Sequence, residues 1–163
     1  MHTSLNPEAG DLCSENQESG SITTLPLEEL LPHRERSLLL NRVLEGDATY
    51  AVTLSTVKSS WPFAEGSGVD SLALVEVAAQ TAGISCSWDR IQRLGLNSEQ
   101  KGWIVAVKKA VFHLAELPYE AEVRAEGKNT INFGGFQEVS TLISLDDQII
   151  AEIVLQLYQT QDS

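Results

Sequence analysis

A chain of 163 residues with 42% hydrophobic content is long enough for one domain with a sizeable core. Its net charge of −12 argues against nucleic acid, whose phosphates need Lys and Arg. No basic-then-apolar leader opens the chain, so a cytoplasmic location is expected. Cys13 and Cys86 have no Cys or His neighbours at metal-ligand spacing, so no disulfide, metal or other cofactor is expected.

Residues 1–22 are rich in Ser, Glu, Asn and Gly and read as a disordered tail, leaving 23–160 as the single domain. Pro26 suits the first turn of a short helix, LPLEELLP, which Pro32 closes. Strands are predicted over 38–44 and 50–57, with Gly46-Asp47 as the turn between them. A loop over 59–68 carries Trp61 and Phe63. Beyond the central helix, strands are predicted over 103–114, 119–127, 133–145 and 149–158. Asp146-Asp147 serves as the last hairpin turn, without the favoured Gly.

The chain is organised around 69–95, VDSLALVEVAAQTAGISCSWDRIQRLG. Asp70 or Ser71 is placed to cap a long helix and Gly95 to end it. From Leu72 to Cys86 nearly every position is apolar or small, as in a helix buried all round. Glu76, Gln80, Thr81 and Asp89 interrupt the run, which argues against a membrane span. Glu76 and Gln80 lie four apart and share one side, with Ser87 near the same line. A carboxylate on a buried helix must be paired, hydrogen-bonded or functional. Gly83 costs about 1 kcal/mol against Ala in a helix interior, so close packing is expected there. Antiparallel strands around one apolar helix define an α+β domain whose sheet wraps the helix on more than one side.

Two segments carry a family resemblance. Leu31-Pro32-His33-Arg34 followed by Leu38-Leu39-Leu40-Asn41-Arg42-Val43-Leu44 resembles the LPHR…LLVDRVL opening of FabZ-type β-hydroxyacyl-acyl-carrier-protein dehydratases. The helix segment 74–84, LVEVAAQTAGI, is similar to their LILEAMAQATGI. The resemblance covers roughly residues 25–160. It implies the hot-dog fold, a curved antiparallel sheet around a long central helix.

In that family a loop histidine faces a glutamate on the central helix. Glu76 stands at the glutamate position, but Pro62 stands where the histidine falls. The loop PFAEGSGVDSLALVE looks more like the divergent dehydratase-like hot-dog proteins of aryl-polyene and related polyketide pathways. His33 falls on the LPHR histidine, to which the resemblance assigns a structural role. His113, beside Phe112 in a strand, reads as structural or surface, and His2 as tail.

Dehydration of a 3-hydroxyacyl thioester needs a base, an acid and donors that hold the carbonyl. The resemblance implies that Glu76 is the catalytic carboxyl and that backbone N–H groups at the helix start are the donors. Gln80, Phe63, Asp70 and Ser71 then line the substrate site, with a water, Asp70 or Glu65 replacing the imidazole. Three readings stand open. One is an acyl-thioester-binding subunit, weak or inactive for want of the histidine. The others are an active dehydratase with rearranged residues and a thioesterase using the helix carboxylate.

The expected ligand is an acyl-carrier-protein or coenzyme A thioester. The expected assembly is a homodimer or higher, or a heterodimer with a conventional dehydratase subunit. Arg90, Arg93, Lys101, Lys108 and Lys109 meet a single acid, Glu99, between residues 90 and 109. They read either as a solvated face or as a basic patch that docks an acidic carrier.

Overall fold

A computed structural model describes residues 20–99 and 101–160. Of the expected tail, 1–19 lie outside the described residues, His2 and Cys13 with them, while Ile22 is buried against the core. Helix α1 (Leu27–Leu30) follows Pro26, and the chain leaves it in extended backbone at Leu31. The described elements then run β1 (Arg42–Gly46), β2 (Tyr50–Thr56), β3 (Ala64–Glu65), β4 (Gly68–Asp70), α2 (Leu74–Leu94), β5 (Gly102–Phe112), β6 (Glu116–Pro118), β7 (Glu122–Phe133), β8 (Phe136–Leu145) and β9 (Gln148–Gln159).

Six strands form one antiparallel sheet in the order β1-β2-β7-β8-β9-β5. The strands alternate buried and open positions, so one face of the sheet is committed to α2. Val139, Thr141 and Ile143 of β8 and Ile153 and Leu155 of β9 are buried on that face. Where α2 meets the sheet, Thr53 and Thr81 hydroxyls bond at 2.8 Å. A Cβ on Gly127 would stand 3.3 Å from both Thr81 and Thr141, so glycine permits the close approach there.

Several boundaries differ from the sequence reading. Residues 38–41 are not strand. Backbone and side-chain partners are mixed there: Leu38 N–H goes to the Glu35 carbonyl and Asn41 N–H to the Leu54 carbonyl, while Gln80 takes the Leu39 N–H and the Asn41 Oδ1 takes the Thr56 N–H. The loop over 59–68 contains β3 and leads into β4, and the pair joins β6 in a small second sheet, β3-β4-β6. Strand β7 extends to Phe133, because Gly134 and Gly135, both at positive φ, make the hairpin turn. The helix is preceded by a 3-10 turn, Ser71–Ala73. The Asp146-Asp147 turn forms as expected, with both residues in the left-handed region.

Helix α2 ends at Gly95 (φ 88°), whose N–H bonds the Ile91 carbonyl. Its burial is not uniform. Val77, Ala78, Thr81, Ala82 and Ser85 are buried, while Leu72 is exposed and Val75, Glu76, Ala79 and Gly83 are half-buried. Those open positions recur at helical spacing and form one stripe that a single chain leaves uncovered. Gly83 has the close packing its helix-breaking cost predicted: a Cβ there would lie 2.8 Å from Leu31 Cδ2. Among the described residues no helix is long and apolar enough to cross a membrane.

Candidate functional site

The open stripe of α2 borders a cavity of about 370 Å³. At one end stand His33 and Glu76; Ala79 and Gly83 follow along the helix, then Cys86 and Ser87. Strands β5, β8 and β9 supply the opposite wall, with Ile104, Gln137 and Leu157 among its residues.

His33 Nε2 lies 3.1 Å from Glu76 Oε1, with the two side chains about one-third exposed (32% and 36%). This corrects the expectation that Glu76 stands without an imidazole. The LPHR segment is folded so as to make the contact. Pro32 follows the end of α1, and Arg34 donates to the carbonyls of Leu31 (2.6 Å), His33 (2.7 Å) and Glu28 (2.9 Å). Arg34 N–H in turn donates to Ser37 Oγ at 3.0 Å. Gln80 then ties the segment to α2: its Nε2 donates to Ser37 O (2.6 Å) and Glu76 Oε1 (2.8 Å), and its Oε1 accepts from Leu39 N–H (2.9 Å).

His33 Nδ1, the other ring nitrogen, is buried and has no partner among the described residues. An imidazole beside a carboxylate can exchange a proton with it, and the two stand together at the end of the cavity. Glu76 also lies in the first turn of α2, where the helix dipole favours negative charge.

The other expected site residues are placed differently. Gln80 is fully buried and lines no part of the cavity. Phe63, exposed and at positive φ, also lies outside the lining, as do Asp70 and Ser71. Asp70 Oδ1 accepts from Leu72 N–H at 2.8 Å, and the Ser71 hydroxyl donates to the Leu114 carbonyl. At the helix start, Ser71 N–H goes to Ala115 O and Leu74 N–H to Leu72 O and Ser71 O. Three of the backbone donors expected for a thioester carbonyl are therefore occupied within this chain.

The five cations do not form one unopposed patch. Arg93 pairs with Asp89 (2.8 Å), Lys101 with Glu99 (2.6 Å), Lys108 with Glu138 (2.8 Å) and Lys109 with Glu152 (3.5 Å). Lys108 and its hydrogen bonds hold the Glu138 carboxyl below its ordinary range. Arg90 is buried (2% exposed) and donates to the Ser98 carbonyl at 2.6 Å. Lys101 alone of the five lines the cavity.

Sequence reasoning did not place His33, Cys86 or Gln137 at the cavity. A usable signal existed for the helix side, because 76, 79, 83, 86 and 87 recur at helical spacing. For His33 the signal was elimination: outside the tail the chain has only His33 and His113.

Burial pushes the Cys86 thiol up to about 12, with Asp89 adding to the effect. Cys86 is therefore a protonated donor throughout the physiological range, not a nucleophile. In a Cys13→Ser background, alkylation at pH 8 should be slow in native protein and fast in denaturant. Its raised pKa also makes a stability signature. The contribution is intact below the unfolded thiol's pKa near 9 and is lost as pH rises toward about 12, because only the unfolded chain ionises. Denaturant titrations should show stability falling by roughly 1.4 kcal/mol per pH unit in that window, a slope absent in Cys86→Ala.

A curved antiparallel sheet packed on one long helix is the hot-dog architecture. The ApeP-like family, described as ApeP dehydratase, matches residues 25–163, and the chain belongs to that family. Among solved structures it is similar to a chain of the dehydratase heterocomplex ApeI:P from Xenorhabdus doucetiae, with TM-score 0.76, 18% identity, and coverage of 85% of this chain and 93% of that one. It is also similar to Cj0977, a sigma28-regulated virulence protein from Campylobacter jejuni, with TM-score 0.65, 17% identity and coverage of 83% and 96%. A hypothetical thioesterase with coenzyme A from Streptococcus pneumoniae shares the fold at TM-score 0.56, 10% identity and coverage of 74% and 87%. No curated protein matches the chain.

Proposed function

We propose that the chain is an acyl-thioester dehydratase subunit in which His33 and Glu76 form the acid–base pair. The 3.1 Å contact at the end of a cavity along α2 carries this reading. One member of the pair takes the proton from C2 of a 3-hydroxyacyl thioester. The C2–H electrons form the C2=C3 double bond as the C3–O bond breaks. The other member gives a proton to the departing hydroxyl, which leaves as water. Proton transfer across the 3.1 Å contact between His33 Nε2 and Glu76 Oε1 then restores both groups. A carrier-borne or coenzyme A-borne arm enters past Lys101 and Trp103. Docking of an acidic carrier by the basic residues is centred on Lys101, with Arg93, Lys108 and Lys109 contributing through their ion pairs and Arg90 bracing the loop behind them.

The test offers 3-hydroxyacyl, enoyl and saturated acyl thioesters and follows both double-bond formation and thiol release. Enoyl formation without thiol is expected. Thiol release from the saturated substrate would instead identify a thioesterase.

Assembly with a second hot-dog chain, a copy or a dehydratase partner, belongs to the same proposal. Strand β5 is a long sheet edge with Trp103, Ile104, Val105 and Val107 about half exposed. Such an edge is a template for pairing. The structural neighbour in a dehydratase heterocomplex favours a mixed dimer. Ile104→Lys with Val107→Lys should turn the assembly monomeric by light scattering. A monomer already in the unmodified protein, alone and with a pathway dehydratase, would remove this part.

A further inference from the structure

A second cavity, of about 210 Å³, is formed by residues from 35–41 and 56–61 and shares no lining residue with the cavity along α2. Acids outnumber Lys and Arg by 23 to 11 in this chain, so a cation left without a carboxylate needs a reason. Arg93, Lys101, Lys108, Lys109 and Arg124 are all held in ion pairs. Arg36 and Lys58 both line the second cavity, both are exposed, and neither has an ion-pair partner among the described residues. One carboxylate, Glu35, shares the lining. Neutral donors stand beside the two cations. Asn41 Oδ1 accepts from Thr56 N–H, which fixes the amide and leaves Nδ2 free to donate. Trp61 packs in the core and is only 6% exposed. Its indole N–H has no acceptor among the described residues and is not sealed from solvent, so it opens into the cavity that Trp61 lines.

We propose that this cavity binds a small phosphomonoester. Guanidinium, ammonium and indole groups can only donate, and Asn41 Nδ2 adds a fourth donor. Water can satisfy each of these singly; a ligand gains by accepting from all of them with one group. A phosphate group carries nearly two negative charges and three strong acceptor oxygens. The planar Arg36 fork can take two of those oxygens at once. A carboxylate offers one charge and two oxygens. Glu35 opposes any anion, so recognition depends on how many donors the ligand meets together, and there phosphate exceeds carboxylate. The cavity is larger than one phosphate, and Leu38, Leu39 and Leu40 give it an apolar wall for a small organic group. The proposal stands apart from the thioester reading and does not depend on it.

Calorimetry on the full chain at low ionic strength tests this with phenyl phosphate, and with benzoate as a carboxylate of similar size. Phenyl phosphate should bind at least about tenfold tighter, the worth of one charge-assisted hydrogen bond. Arg36→Gln and Lys58→Gln should each weaken it by about tenfold; both positions are exposed, so the fold should be unaffected. Asn41→Asp keeps an acceptor for Thr56 N–H but sets a carboxylate where the donor stood, and should abolish binding. Lys128 is exposed and lies outside this cavity, so Lys128→Gln should leave binding unchanged. All four variants are checked for native unfolding. No binding of phenyl phosphate at millimolar concentration overturns the proposal. So does equal binding of benzoate, or a loss in Lys128→Gln as large as in Arg36→Gln. None of these outcomes bears on the thioester reading.

Discussion

Glu76→Gln is expected to lower kcat/KM for 3-hydroxyacyl thioester dehydration by two to four orders of magnitude, roughly the worth of a positioned acid–base group. The fold should survive, because the side chains are nearly isosteric and an amide oxygen can still accept from Gln80 Nε2. What is lost is the carboxylate that exchanges a proton with His33. His33→Ala should cost a similar factor, and the double variant little more than either alone, because the two act as one unit. Wild-type activity in Glu76→Gln would show that the contact with His33 is structural. The double-mutant comparison separates this from general damage: independent, additive losses would argue against a pair.

Gln80→Leu should be the most costly single change to stability at the site. Gln80 is fully buried and satisfies the Leu39 N–H and the Ser37 carbonyl. Leucine matches its bulk but leaves both backbone groups without that partner. At about 1–3 kcal/mol for each unsatisfied group, the loss is roughly 2–6 kcal/mol, read as a lower denaturant midpoint at unchanged slope. Activity should fall beyond the loss of folded protein, because the same bonds hold 33–39 across α2 and so place His33. Gln80→Glu is the informative companion. It keeps an acceptor for Leu39 but sets a second carboxylate beside Glu76 and removes the donor to Ser37. It should therefore disturb the pH profile where Gln80→Leu mainly lowers stability.

Much of the architecture was legible in local pattern. Strands β2 and β9 were legible within a residue, and alternation marked β2, since one face of it must be buried. The apolar run from Leu72 to Cys86 marked α2, and Gly95 its end. Glu76 stood out because a carboxylate in such a helix demands a reason. Gly134-Gly135 was a readable turn signal that went unused, so the strand before it was cut short.

Tertiary structure alone decided the rest. Whether 38–41 becomes strand depends on Gln80, about forty residues away, offering its amide to Leu39. The small sheet depends on Leu117 meeting Val69 in register, which neither short segment signals by itself. His33 meets Glu76 only because Pro32 turns the chain, Arg34 gathers three carbonyls, Gly83 admits Leu31 and Gln80 anchors the segment. The sequence by itself determined which residues can act as base and acid, since that is side-chain chemistry. Their partnership is a distance set by contacts between segments far apart in the chain, and no local periodicity encodes it.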